Sequence, residues 1–265
     1  MTIWQAIILG LVQGITEFLP VSSSGHLVVA RALLGAEAEP LIFEIVVHCG
    51  TLLAVLVVFR HDILRMLKNP FGKLVRYLVV ATIPAVIFTL LFDNWIESAF
   101  GGRFLGIGFI LTAILLTLAE RKQVRHPRKF NQMKYTDALA MGGMQAVALV
   151  PGISRSGSTI VGGLFCGLDR RMAARFSFLM SIPAILGSVV FKFKDLMNIG
   201  AGGTSIAAII VGALVAAVSG YLAIRFMLEL ISKKKMYGFA IYVLILGVFV
   251  IVCQFCGVLF EPMFA

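Results

Sequence analysis

Gln13-Gly14-Ile15-Thr16-Glu17-Phe18-Leu19-Pro20-Val21-Ser22-Ser23-Ser24-Gly25-His26 is a polar, hydroxyl-rich run, broken by proline and glycine, inside otherwise apolar sequence. A second such run lies 132 residues later: Gln145-Ala146-Val147-Ala148-Leu149-Val150-Pro151-Gly152-Ile153-Ser154-Arg155-Ser156-Gly157-Ser158-Thr159. In that register Ala6 meets Ala138, Gly10 meets Gly142 and Gln13 meets Gln145. Ser22 meets Ser154, Ser24 meets Ser156, Gly25 meets Gly157, Gly35 meets Gly167 and Phe59 meets Phe191. The offset is half of the 265-residue chain, and the pattern reads as an internal duplication with a broken helix in each copy. In a membrane protein, two interrupted segments at matching positions point to the binding site.

Composition agrees with a membrane setting. The chain is 60% hydrophobic and 14% charged, with a mean hydropathy of +0.99; in soluble domains about a quarter of residues are charged. Helices satisfy their own backbone hydrogen bonds in lipid, so the expectation is an all-α integral membrane protein. It is read as a single membrane domain over residues 1–265, with repeat one at about 1–120 and repeat two at about 133–265. The N-terminus lacks a basic segment and a small-residue cleavage site, so no cleavable leader is expected. The net charge of +10 sits in short clusters between apolar runs, which argues for membrane topology and against nucleic acid. Cys253 and Cys256 form a C-x-x-C without a metal or redox partner set, and read as small residues on one helix face.

Six spans are expected, at about 40–59, 74–92, 104–119, 172–191, 205–228 and 237–260. The arms of the first broken segment, about 3–18 and 25–34, are each too short to cross about 30 Å of hydrocarbon. Each broken segment, 3–34 and about 135–167, therefore reads as a re-entrant helical hairpin. The stretches 60–76, 121–134, 168–175 and 225–235 hold 18 of the 23 lysines and arginines, including Arg125 and Lys234, and are assigned to the cytoplasmic side. Glu37, Glu39, Asp93, Glu97 and Asp195 fall on the other side, with Lys192, Lys194 and a Gly-rich loop at 198–203. Three spans per half make the two copies inverted-topology repeats with both termini outside, and bring the hairpins together near the midplane.

Glu17 and Arg155 are the costly residues, since a charge at bilayer depth costs at least about 2.5–3.5 kcal/mol. One reading is an ion pair that merely locks the hairpins together. The residues around them favour a binding site. Ser22, Ser23, Ser24, Ser154, Ser156, Ser158 and Thr159 supply seven hydroxyls, and helices restarting near Ser24 and Ser156 would aim their positive ends into a shared cavity. One arginine, several hydroxyls and two helix N-termini make an anion site suited to phosphate. His26 is the one side chain there suited to moving protons near neutral pH. Ser23, three residues before it, is a candidate nucleophile, while His26 activating water is the other option. Gln13 and Glu17 are four apart, on one helix face. With phosphate oxygens they are candidate ligands for a divalent cation, Mg²⁺ or Ca²⁺; the bland reading of Gln13 is helix–helix hydrogen bonding. Glu44 and His48, also four apart, are assigned a supporting role.

At these residues, and over essentially its whole length, the chain resembles the bacterial undecaprenyl-diphosphatase family, also called the bacitracin-resistance protein family. The specific matches are Gln13-x-x-x-Glu17-Phe-Leu-Pro-Val-Ser-Ser-Ser-Gly-His26 and Pro151-Gly-Ile-Ser-Arg155-Ser-Gly-Ser-Thr159. Gln13 stands where the family pattern has Glu or Gln, which removes one metal-ligand carboxylate. The resemblance implies an active centre of Glu17, Ser23, His26, Arg155 and Thr159, with Ser154 and Ser156 nearby; Ser22 and Ser24, from the hydroxyl cluster itself, are added as substrate-binding candidates. It implies hydrolysis of undecaprenyl diphosphate to the monophosphate, recycling the lipid carrier of peptidoglycan synthesis and conferring bacitracin resistance. The expected setting is the bacterial cytoplasmic membrane, with a site open to the outer face. The expected partners are a polyprenyl diphosphate, the lipid bilayer and a second copy of the chain in a homodimer. The competing function is a secondary transporter or flippase for an anionic lipid, whose architecture is similar. A carrier has no use for a base beside a hydroxyl, so His26 near Ser23 separates the two readings.

Overall fold

Leu19 precedes Pro20, and proline's ring drives the residue before it out of the helical region. Leu19 duly lies at φ −75° and ψ 147°, ending helix α1 (Ile3–Phe18). Helix α2 (Ser23–Leu34) starts four residues later and stops at Gly35, in the left-handed conformation. In the second half α7 (Tyr135–Val147) ends ahead of Pro151 and Gly152, and α8 (Arg155–Phe165) follows. The remaining helices are α3 (Leu41–Val58), α4 (Arg60–Lys68), α5 (Lys73–Ala99), α6 (Leu105–Arg121), α9 (Arg170–Ile199), α10 (Ile206–Lys233) and α11 (Tyr237–Phe255). This computed structural model describes residues 1–35, 41–99, 102–122, 126–199, 205–233 and 235–260, without the side chains of 41, 93–99 and 192–199. Glu37, Glu39, Arg125, Lys234, most of the Gly-rich 198–203 loop and the side chains of Asp93, Glu97, Lys192, Lys194 and Asp195 lie outside the described residues.

Among the described residues the regular structure is helical, with one isolated bridge between Arg128 and Leu168 in a connection. Four stretches of these residues are long and apolar enough to cross a membrane: Lys73–Phe92, Arg170–Phe191, Ile206–Lys233 and Tyr237–Phe255. A fifth counts if α3 is taken with α4, which bends away from it by 79°. The 17 residues of α6 reach about 26 Å at 1.5 Å per residue, just short of a full hydrocarbon core. The basic stretch after residue 59, read from sequence as a loop, is in part the helix α4. Its Asp62 is buried while Leu64 and Leu67 are exposed.

The 132-residue offset recurs in the helix starts: 3 and 135, 23 and 155, 105 and 237. It recurs in the packing too. The first-half arm α1 lies against α10 of the second half, and the second-half arm α7 lies against α5 of the first. Small residues permit these approaches. A Cβ on Gly10 would overlap the backbone of Gly212, and one on Gly142 would overlap the backbone of Ala81. Helices α6 and α11 pack on each other, as do α3 and α9. Two pairs tie the halves at one end, Arg175 with Asp62 at 2.5 Å and Arg170 with Glu120 at 2.5 Å, and beside them Arg128 of the connecting loop forks onto Asp137 of α7 at 2.8 Å. At the other end Gln254 of α11 donates to the carbonyls of Gly102 and Arg103, before α6.

Gly10→Val should force α1 off the α10 backbone and cost about 1–3 kcal/mol, as overpacking typically does. Gly143→Ala, whose Cβ meets nothing within 4 Å, is the control. Thermal melts in detergent should separate the two variants, and equal midpoints would overturn the close α1–α10 approach.

Candidate active site

Both restarting helices use the same local device. Ser22 caps α2, its hydroxyl accepting from the Gly25 N–H at 3.4 Å. Ser154 caps α8, accepting from the Gly157 N–H at 3.0 Å. The hydroxyl thus satisfies a backbone donor that the first helical turn leaves open. Glycine is required three residues on in each case by crowding. A Cβ on Gly25 would come within 2.6 Å of the Phe109 ring, and one on Gly157 would press on Ser154 and Pro20. Ser22 itself sits at φ 73° and ψ 98°, a conformation non-glycine residues rarely adopt and one that tends to mark functional sites. The two tips touch: the Ser156 hydroxyl donates to the Leu19 carbonyl at 2.8 Å. Thr112 of α6 braces the second tip, accepting from the Ser154 N–H at 3.0 Å and donating to the Gly152 carbonyl at 3.1 Å.

Glu17 is the hub. Its Oε1 receives a donor from the Arg155 guanidinium, across 138 residues of sequence. Its Oε2 accepts from the Ser23 hydroxyl at 2.6 Å and from the Gln13 amide at 3.0 Å. His48 Nε2 stands 3.9 Å from the same oxygen, its Nδ1 held 2.7 Å from the Glu44 carbonyl. Ser23 and Arg155 are the first residues of α2 and α8, so both second-arm N-termini converge on one carboxylate. Such an end carries a partial positive charge. Arg155 spends one further donor on the Ser177 carbonyl at 3.4 Å, and a guanidinium has five. The arrangement can bind a multiply charged anion and take a proton from Ser23 at Glu17 Oε2.

Other expected residues are placed as follows. Ser24 lies 3.5 Å from the Ser22 hydroxyl, and Ser154 lies 3.2 Å from Ser156. Thr159 bonds the Ser177 hydroxyl at 2.6 Å and carbonyls of its own helix, so its oxygen is already engaged. The structure does not form the Ser23–His26 pair. Ser23 turns to Glu17, while His26 Nδ1 lies 2.7 Å from the Ser22 carbonyl and Nε2 lies 2.8 Å from the Tyr242 hydroxyl. Three residues separate the two in sequence, but the first turn of α2 aims them at different neighbours. Thr112, Ser177 and Tyr242 were not among the sequence candidates. Each sits in an apolar span with no motif around it, and only the fold brings it to the hairpins.

A divalent cation was expected on Gln13 and Glu17. The described residues hold no cluster of three or more His, Cys, Asp or Glu suited to a metal. Gln13 Oε1 is buried without a partner, which suits a hard cation's preference for oxygen, and the Glu17 carboxylate is bonded to the same side chain. Both Glu17 oxygens already accept from Arg155, Ser23 and Gln13, so of the two side chains Gln13 alone has an open oxygen in this arrangement.

Comparison with known proteins places these residues in context. The family model described as bacitracin resistance protein BacA matches residues 6–249. An undecaprenyl-diphosphatase of Carboxydothermus hydrogenoformans is 45% identical over 260 residues, covering 97% of this chain and 99% of that protein. Undecaprenyl-diphosphatase 3 of Bacillus cereus is 42% identical over 255 residues, covering 96% and 98%. An undecaprenyl-diphosphatase of Methanobrevibacter smithii is 43% identical over 272 residues, covering 94% and 97%.

Arg155→Met should strand the buried Glu17 carboxylate and cost about 3–5 kcal/mol, the usual penalty for breaking a buried pair. Adding Glu17→Gln should recover much of that loss. Thermal midpoints of the wild type, both single variants and the double variant form the test, and strictly additive effects would remove the coupling.

Proposed function

Because the chain belongs to the bacitracin resistance protein BacA family, we infer that it is an undecaprenyl-diphosphatase, hydrolysing undecaprenyl diphosphate to undecaprenyl phosphate and inorganic phosphate. The observation that carries this reading is the Glu17 carboxylate, which holds the Ser23 hydroxyl and the Arg155 guanidinium at the meeting of two helix N-termini. The product is the carrier lipid of peptidoglycan synthesis, and removing its diphosphate form confers bacitracin resistance.

In the mechanism we favour, Ser23 Oγ attacks the terminal phosphorus and Glu17 Oε2 takes the hydroxyl proton. The anhydride P–O bond breaks, and undecaprenyl phosphate leaves. Water then cleaves the phosphoseryl ester, giving inorganic phosphate and returning the proton to Ser23. The Arg155 donors not engaged by Glu17 and Ser177, with the N–H groups at the α2 and α8 starts, meet the charge on the phosphoryl oxygens. His26 serves as acid or base beside this centre. Gln13 and Glu17 would hold a divalent cation, which when bound neutralises diphosphate charge.

The fold we propose for this work has six spans and two re-entrant hairpins in inverted repeats, with α3 and α6 as the two spans of marginal length. The repeated helix starts and the exchanged α1–α10 and α7–α5 contacts support it. Hairpins entering from opposite faces place a polar pocket at mid-bilayer while the polyprenyl tail stays in hydrocarbon. From the charge asymmetry of the loops we place the basic end in the cytoplasm and the site's opening on the outer face of the bacterial cytoplasmic membrane.

Purified wild type in detergent should release phosphate from undecaprenyl diphosphate. Arg155→Ala and His26→Ala should each fall at least about 100-fold while remaining folded. EDTA should suppress release, with Mg²⁺ or Ca²⁺ restoring it. A well-folded wild type that releases nothing, with or without either ion, would remove the phosphatase reading.

A further inference from the structure

His26 has a partner that the mechanism above does not use. Tyr242, on α11 of the second half, lies 216 residues away in sequence and places its hydroxyl 2.8 Å from His26 Nε2. We propose that Tyr242 is the positioning residue for His26, fixing the ring and leaving Nε2 as the nitrogen that exchanges protons. The proposal rests on His26 being an acid or base in the phosphatase reaction.

The hydrogen bonds decide the tautomer. The Ser22 carbonyl can only accept, so Nδ1 at 2.7 Å carries a proton. In the neutral ring Nε2 is then a lone pair, and the Tyr242 hydroxyl donates to it. Two aromatic rings pack against the imidazole as well. Tyr242 stacks on it at 5.6 Å between centroids and 26° between planes, while Phe109 meets it edge-on at 5.4 Å and 88°. A ring flip would break both hydrogen bonds at once. A histidine whose Nδ1 is fixed by a backbone carbonyl takes up its proton at the other nitrogen, and here that nitrogen is bonded to Tyr242.

A hydroxyl has a property that a carbonyl or amide N–H lacks: it donates or accepts as needed. Tyr242 donates to neutral His26 and accepts from Nε2–H once the imidazole is protonated. It therefore stays bonded through both states of the ring. Its own hydrogen then turns outward, into a cleft of about 630 Å³. Ile15, Thr16 and Leu19 line that cleft on the hairpin side, and Leu230, Lys235 and Phe239 on the other. Its titratable groups are His26, Tyr242 and Lys235, and Phe109 is the α6 side chain against the ring. Tyrosine is thus the residue that lets a buried imidazole change charge without losing a partner.

Tyr242→Phe keeps the stacked ring and removes only the hydroxyl. We expect kcat for undecaprenyl diphosphate to fall about 10- to 100-fold, a part of the roughly 10²–10⁴-fold that a positioned acid or base contributes. KM should stay within about twofold, because the hydroxyl acts through His26 and not on bound substrate. The pH profile of kcat should shift. Nitrogen NMR of ¹⁵N-histidine-labelled protein supplies a readout independent of turnover. The His26 signals, assigned by their loss in His26→Gln, should report the Nδ1–H tautomer in both proteins, because the Ser22 carbonyl sets it, while the Nε2 shift should move when the Tyr242 hydroxyl is removed. A variant with wild-type kcat, an unmoved pH profile or an unchanged Nε2 shift overturns the proposal. If the wild type itself releases no phosphate, the phosphatase reading falls, and the Nε2 shift still decides whether Tyr242 holds the ring.

Discussion

A buried carboxylate is the constraint on which this molecule turns. Ionised Glu17 is tolerable only if donors surround it, and its own helix supplies one, from Gln13. The others must come from residues that α1 cannot carry: Ser23 beyond the Pro20 break and Arg155 from the other half of the chain. Satisfying one charge therefore dictates that both helices be interrupted and that the interruptions meet. A buried ion pair of this kind adds little net stability over an apolar replacement. Its retention is better understood as the cost of holding a reactive group where the substrate's headgroup will be.

Meeting at the centre requires backbones to come unusually close, and lipid provides no hydrophobic drive between helices. The chain answers with glycine at the crossings of α1 with α10 and of α7 with α5. These crossings exchange arms between halves, so neither half encloses its own hairpin. At the basic end, Arg170 and Arg175 of α9 pair with Glu120 and Asp62 of the first half. Close backbone packing and charge pairing thus join the halves at different places.

Much of this was legible in the sequence because the signals are local or periodic. Pro20 and Pro151 mark the breaks, Ser-x-x-Gly marks both caps, and four of the expected spans announce themselves by hydropathy. Gln13, Glu17, Ser23 and Arg155 stood out as polar residues in apolar surroundings, and the structure gathers them. What escaped was set by tertiary geometry. Tyr242, Ser177 and Thr112 are ordinary residues of apolar helices until packing turns them toward the hairpins. The pairing of Ser23 with His26 looked natural at three residues apart, but the strained Ser22 backbone aims the two side chains differently. The helix α4 hid in a basic stretch whose mean composition resembles a loop.

Ser23 and Arg155 stand 132 residues apart, in the register that also relates the helix starts, and each opens a helix whose N-terminus meets Glu17. Leu149 is the residue 132 on from Glu17, so the carboxylate has no counterpart in that register. Equivalent positions thus carry unlike groups, a hydroxyl on one flank of the carboxylate and a permanent cation on the other. Two like groups would leave the flanks of Glu17 interchangeable, whereas unlike ones give it two chemically distinct sides.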